Sequence, residues 1–187
     1  MKLNRNRALI LSNFILLNLV LLTTLIAGCT KSANVQCDSD LQFLSNRQEI
    51  GVAVNSLPLF NSVPYQQIVT DHFKRITAGN EMKPDALQPF QGQFDFERAD
   101  DLVYFAETNN MSIHGHTLLW HQQIPYWMEN FEGTREEWKA MMKNHIQTVV
   151  HHFKGKVKSW DVINEAFYEN GTLRNTIWKQ NIGPEYL

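Results

Sequence analysis

The sequence predicts an α/β fold in which four short apolar strands alternate with amphipathic helices. Two observations carry that prediction. Segments of strand length recur at 49–55, 75–78, 112–119 and 157–163, the first of them a short apolar run. Between them, apolar residues fall at the i, i+3, i+4 spacing of helices that cover a sheet. A third observation sets the limits of the fold: the residues ahead of the first strand have a different character altogether.

Residues 1–28 read as a targeting leader. Lys2, Arg5 and Arg7 make a positive start, and 8–27 is mostly apolar, interrupted by Ser12, Asn13, Asn18, Thr23 and Thr24. Small residues then precede Cys29 in Leu25-Ile26-Ala27-Gly28-Cys29, which resembles a bacterial lipoprotein signal whose cleavage exposes the cysteine for lipid attachment. The expectation is an exported protein held in the cell envelope, at the outer membrane or cell surface, through a lipid on Cys29. Residues 29–46 are polar and read as its linker, with Cys37 an exposed thiol within it. The folded domain is then 47–187.

Within that domain the first run, 49–55, is followed by loop signals over 55–64, and 65–73 places Ile68, Val69 and Phe73 on one helical face. The run 75–78 ends at Gly79-Asn80. Ala99, Leu102, Val103 and Ala106 give a helix over 96–108. The third strand is 112–119. Thr134 and Glu137 fit a capping box, which satisfies two free amides at a helix start. Trp138, Met141, Met142, His145, Ile146, Val149, Val150 and Phe153 then form one apolar stripe. The fourth strand is 157–163, and 172–187 is loop with a short helix.

Parallel neighbours need crossovers, so repeated strand–helix units imply a parallel sheet. A doubly wound sheet and a closed barrel both fit. No Gly-rich G-x-G-x-x-G follows the first strand, which removes the main support for a dinucleotide fold. An eight-unit barrel needs roughly 250 residues, and four units are present. If the fold is a barrel, the sequence is its first half.

Composition excludes several classes. Lys and Arg number 17 against 19 Asp and Glu, a balance that gives no attraction for a nucleic-acid polyanion. Two cysteines make neither a disulfide framework nor a four-thiolate zinc site.

Polar residues gather after three successive strands: Asn80-Glu81-Met82-Lys83, then His114-Gly115-His116 with Trp120-His121-Gln122-Gln123, then Asp161 with Asn164-Glu165. A barrel places its chemistry at that end of its strands. The two-residue strand period puts His114, His116 and Leu118 on one face. The histidines are thus candidate ligands of a metal-dependent hydrolase, although a hydrogen-bonded core imidazole is the favoured reading of His114. Glu165, flanked by apolar residues, is expected to be partly desolvated, the setting of a carboxyl that does acid work.

Three of these segments carry a resemblance. Asn80-Glu81-Met82-Lys83, Gly115-His116-Thr117-Leu118-Leu119-Trp120-His121 and Trp160-Asp161-Val162-Ile163-Asn164-Glu165-Ala166, in that order, resemble the family 10 glycoside hydrolases, mostly endo-1,4-β-xylanases. Ile182-Gly183 and Tyr186 continue the pattern. The resemblance covers 49–187 and implies the N-terminal half of a (β/α)₈ TIM barrel. It implies retaining hydrolysis of internal β-1,4 bonds in xylan, with xylan or xylo-oligosaccharides as partner and neither metal nor cofactor. Glu165 matches the general acid/base, and Asn164 the residue that holds the 2-hydroxyl at the cleavage point. His116 and Trp120 match residues that line the subsite on the non-reducing side of the scissile bond. Asn80, Lys83 and Gln123 match groups that bind the next sugar, and His121 is placed beside the acid/base.

Two departures from the family pattern stand out. Many members carry a glutamate where this chain has Gly79. The family's nucleophile, a glutamate in a late Thr-Glu-Leu-Asp type strand, has no counterpart in these 187 residues, and neither Glu81 nor Glu169 is expected to replace it. Taken alone the chain is expected to be inactive. A non-catalytic xylan-binding lipoprotein is the alternative from a different class.

Overall fold

The computed structural model describes residues 48–187. The expected leader, the lipid site Cys29 and the whole linker lie outside the described residues.

Four strands form one sheet in the order β1 (Gly51–Val54), β2 (Arg75–Ala78), β3 (Ser112–Leu119) and β4 (Ser159–Ile163). Every pairing is parallel. Each strand lies beside its predecessor, with no reversal of order of the kind a doubly wound sheet shows. All four C-terminal ends therefore point the same way.

The crossovers are helical. After β1 come α1 (Ser56–Asn61) and α2 (Val63–His72). A short α3 (Pro84–Leu87) and then α4 (Glu97–Thr108) follow β2. After β3 come α5 (Tyr126–Glu129) and α6 (Arg135–His152). Beyond β4 lie α7 (Ile177–Ile182) and a 3₁₀ turn, Pro184–Tyr186.

The boundaries follow from local chemistry. Ser62 accepts from the Tyr65 amide at the start of α2, and Pro64 fills a first-turn position whose amide needs no partner. Thr134 and Glu137 form the expected capping box: the Thr134 amide donates to Glu137 Oε2 at 2.6 Å, and the Glu137 amide to Thr134 Oγ1 at 3.4 Å. Gly155, at φ +82°, turns the chain back toward β4.

One core fills the space between the sheet and its helices. Val54, Ile76, Ala78, Ile113 and Leu118 from the strands meet Val69, Leu102, Val103, Ala106, Val149 and Phe153 from the helices. Each fully buried Leu, Ile or Val contributes about 1.5–3 kcal/mol relative to its exposed state. A second cluster joins Leu119, Ile124, Met128, Trp138, Trp178, Ile182 and Tyr186 beneath the loop after β3. The other sheet face carries Thr77, His114, His116 and Asp161, aligned by the pairings Thr77 with His114 and His116 with Asp161.

Several sequence expectations change. Residues 55–64 hold a helix, α1, because the Glu81 carboxylate accepts from the Ser56 amide at 2.6 Å across 25 residues, a contact invisible locally. Ile68 is 55% exposed. The stripe of α2 runs instead through Tyr65, Val69 and Phe73, which keep the i, i+4, i+8 spacing toward the core. Val150 is likewise exposed, so the stripe of α6 is narrower than expected. Leu118 leaves the face of His114 and His116 and joins Ile113 in the core. The register of β3 on β4 shifts between His116 and Leu119, where the His116–Thr117 peptide is cis, and a shift of one residue exchanges the faces of all that follow.

Candidate active site

The chemistry gathers where the three longer approaches to the sheet end meet. Past β2 the chain turns sharply, and Asn80, Glu81 and Lys83 come within reach of the segment after β3. The Lys83 ammonium donates to Asn80 Oδ1 at 3.1 Å and to Gln123 Oε1. Gln123 Nε2 donates to the same Asn80 oxygen at 3.2 Å, closing a triangle. Gln123 itself takes φ +46°, which brings its side chain back over the site. Lys83 also lies 5.1 Å from the Trp120 ring centroid, in cation–π range. Burial lowers the pKa of Lys83, against the opposing pull of Asp85 and Glu81.

Glu81 is a brace. It is buried, and its two oxygens accept from the Ser56 amide at 2.6 Å and the Asn80 amide at 3.1 Å. Burial pushes its pKa up, and the backbone hydrogen bonds outweigh that and hold it below the ordinary value. It is an ionised structural carboxylate.

On the open sheet face, Asp161 receives two imidazoles. His116 Nδ1 stands 2.9 Å from one oxygen and His114 Nε2 3.3 Å from the other. Partial burial raises the Asp161 pKa, and the two histidine hydrogen bonds reverse that to a net lowering. Since the carboxylate only accepts, both facing nitrogens carry hydrogen. His114 Nδ1 lies 2.7 Å from the Ser159 hydroxyl, so the ring is hydrogen-bonded as expected, but on the open face of the sheet and not in the core. With Nδ1 on Asp161, His116 keeps Nε2 for a further partner. The pair that the sequence offered as metal ligands thus converges on one carboxylate, and the described residues hold no cluster of three or more His, Cys, Asp or Glu arranged for a metal.

Glu165 follows β4 at φ +52°. Its side chain is 47% exposed on the described half of the fold, and the next residue, Ala166, is buried. Trp120 Nε1 donates to Glu165 Oε2 at 3.0 Å, and His121 Nε2 lies 3.8 Å from the same oxygen. Burial and the Arg174 charge lower the pKa of His121, against the pull of Glu165. The Asn164 amide donates to the Leu119 carbonyl at 2.8 Å, fixing the backbone beside the acid.

The structure therefore brings Glu165, Trp120 and His121 into one group and Asn80, Lys83 and Gln123 into another. Trp120 touches both, and its ring centroid is 6.2 Å from that of His116. Other contributors were missed from sequence. Asp161 was visible in its cluster but was given no role, although strand register with His116 would have assigned one. Asn55 accepts from Asn80 Nδ2 at 2.8 Å, and its place at the end of β1 matches the position that flagged the others. Arg174 donates from Nε to the Glu165 carbonyl at 3.0 Å and stacks on Tyr168 at 4.6 Å. Trp178 donates to the Trp120 carbonyl at 2.8 Å. Nothing in the local sequence around Arg174 or Trp178 announces either contact.

A family model described as glycosyl hydrolase family 10 matches residues 40–187. Endo-1,4-beta-xylanase B of Thermotoga neapolitana is 40% identical over 170 residues, which cover 89% of this chain and 49% of that protein. The crystal structure of native xylanase 10B from Thermotoga maritima superposes with a TM-score of 0.75 at 41% identity, covering 79% of this chain and 47% of that one. Xylanase 10B from Thermotoga petrophila in complex with xylobiose gives a TM-score of 0.75 at 42% identity, covering 79% and 46%. The chain spans about half the length of these relatives.

Proposed function

The chain belongs to glycosyl hydrolase family 10, and on that premise we propose that its folded residues are the sugar-gripping, acid-bearing half of a retaining endo-1,4-β-xylanase. The contact that carries this reading is that of Trp120. Its indole N–H holds the Glu165 carboxylate at 3.0 Å while its ring lies against Lys83. One aromatic side chain thereby joins the group that breaks a bond to the group that grips the neighbouring sugar.

The chemistry follows from the side chains. A xylose at the cleavage point lies against Trp120 and offers a hydroxyl to His116 Nε2, whose ring is oriented by Asp161. Asn164 holds its 2-hydroxyl. The next sugar outward meets the amides and ammonium of Asn80, Gln123 and Lys83, groups already fixed by one another. Glu165 gives its proton to the departing glycosidic oxygen and later takes one from the incoming water. His121 and Trp120 hold its carboxyl in place between the two steps. Retention requires a second carboxyl about 5–5.5 Å away. Glu81 is committed to two backbone amides, and the family resemblance assigns the nucleophile to a later strand of the barrel.

Xylobiose titrated into the full chain is the direct test, read by NMR. The Trp120 indole and the Asn80 and Gln123 side-chain amides are expected to shift with one saturation curve. Shifts confined to other residues, or none, would defeat the reading.

Residues 1–28 act as a lipoprotein leader and Cys29 as the lipid attachment point. The support is the charged start, the apolar run and the small residues before Cys29. Cys29→Ala is expected to move the protein from the membrane to the soluble fraction of a bacterial host. Equal retention of both forms would make the apolar run itself the anchor.

A further inference from the structure

Gly79, at the end of β2, has no side chain, and the structure shows what occupies the room beside it. A Cβ at position 79 would stand 2.3 Å from Asn55 Oδ1 and 2.9 Å from the Val54 carbonyl. Asn55 has taken the space. Its oxygen accepts from Asn80 Nδ2 at 2.8 Å, and its own amide hydrogens meet no acceptor among the described residues. Asn55 thus sets a side-chain amide at the end of β1, hydrogen-bonded to Asn80 at the end of β2.

Behind this pair lies a cavity of about 370 Å³, within the size range of small-ligand sites. Asn80 and Asn55 form its inner wall, so it is continuous with the group that grips the outer sugar. Leu57, 75% exposed, and Pro58 supply an apolar flank from α1. Arg98, from the first turn of α4, completes the lining. Its guanidinium is exposed and has no ion pair or hydrogen bond among the described residues. The one carboxylate in the lining, Glu81, is buried with both oxygens engaged by backbone amides. A fixed amide, an apolar flank and an unpartnered guanidinium make a site for a sugar that carries a carboxylate.

We infer that this cavity is a further subsite on the glycone side, in which Asn55 binds a sugar hydroxyl and Arg98 binds the carboxylate of a uronic-acid branch. The inference rests on the sugar-cleft reading of the Asn80, Lys83 and Gln123 group and extends it to the class of xylan preferred. The guanidinium suits the task, since its planar fork matches a carboxylate with two parallel hydrogen bonds.

The test compares two ligands on the full chain, xylotetraose and a xylotetraose with one glucuronic-acid branch on its non-reducing end. Calorimetry is expected to show the branched ligand binding about fivefold more tightly at low salt, an advantage that shrinks as salt screens the pair. Arg98→Gln is expected to bring the two ligands to equal affinity, and Arg98→Lys to keep part of the preference. Circular dichroism of each variant confirms folding, which an exposed side chain does not threaten. Equal affinities in the parent protein overturn the inference, as does a preference that survives Arg98→Gln. Xylobiose is the control for the underlying reading. If it shifts the Trp120 indole while the branched ligand gains nothing, the subsite falls and the cleft stands. If no ligand binds, both fall together.

Discussion

In a protein that carries both halves of the barrel, Glu165→Ala is expected to slow xylan hydrolysis by about 10²–10⁴-fold. The loss is expected to depend on the leaving group. Xylan departs as an alcohol and needs a proton from Glu165. An aryl xylobioside with a very acidic phenol leaves without one, so its first step is expected to be almost unchanged. The glycosyl-enzyme then accumulates, because the second step has lost the base that activates water. Azide needs no deprotonation. Adding it is expected to restore turnover and to give a glycosyl azide of retained configuration. These results belong to an acid/base and to no other role. A loss of equal size for good and poor leaving groups would make Glu165 a nucleophile or a structural residue.

The elements that carry Glu165 and its partners are legible in the sequence, for reasons that differ from one element to the next. Strands β2 and β3 appear at their expected bounds, β2 closed by Gly79-Asn80 and β3 opening after Asn109-Asn110. Helix α6 begins where Thr134 and Glu137 cap it, a signal contained within four residues. What sequence did not give depends on contacts across long separations. Helix α1 needs the Glu81 carboxylate from 25 residues away. Asn55 is drawn into the site only because residue 79 lacks a side chain, and a single Gly does not say which neighbour will fill its place. The face of Leu118 turns on a register shift that strict alternation cannot foresee.

The setting of Glu165 teaches the same lesson. Its sequence neighbours Asn164 and Ala166 do not say which side chains meet its carboxyl, and Glu165 sits on a turn at φ +52°. What surrounds a side chain at a strand end is decided by the turn it sits on. Here the partners of the carboxyl are Trp120 and His121, 45 and 44 positions earlier. Both are held by a motif that the sequence did display, Gly115 to His121. Gly115 is required there by packing, since a Cβ would lie 2.1 Å from the Trp160 ring. The motif is therefore at once a strand, a packing site and the stretch that brings Trp120 and His121 to the Glu165 carboxyl, which is why it is so readable.

His145 is expected to make the fold lose stability in acid. The imidazole is fully buried on α6, with Nδ1 2.8 Å from Gln88 Oε1 and the Phe94 ring stacked at 6.0 Å. Burial lowers its pKa from 6.5 to about 4, with the Leu118 backbone opposing in part. The sign follows from linkage. Above pH 6.5 the group is neutral in both states and costs nothing. As pH falls below 6.5 the unfolded chain takes up a proton that the folded protein refuses, so stability declines. The decline continues to about pH 4, where the folded form accepts the proton too, and it amounts to about 3 kcal/mol in total. His145→Gln removes the titrating group and keeps an amide beside Gln88. Urea unfolding at pH 7 and pH 4.5 is expected to show the parent losing more stability than the variant, by close to that amount. The carboxylates titrate alike in both proteins and cancel in the comparison. Equal losses, or an imidazole resonance that titrates near 6.5 in the folded protein, would show that His145 is hydrated and that α6 does not seal the core at this point.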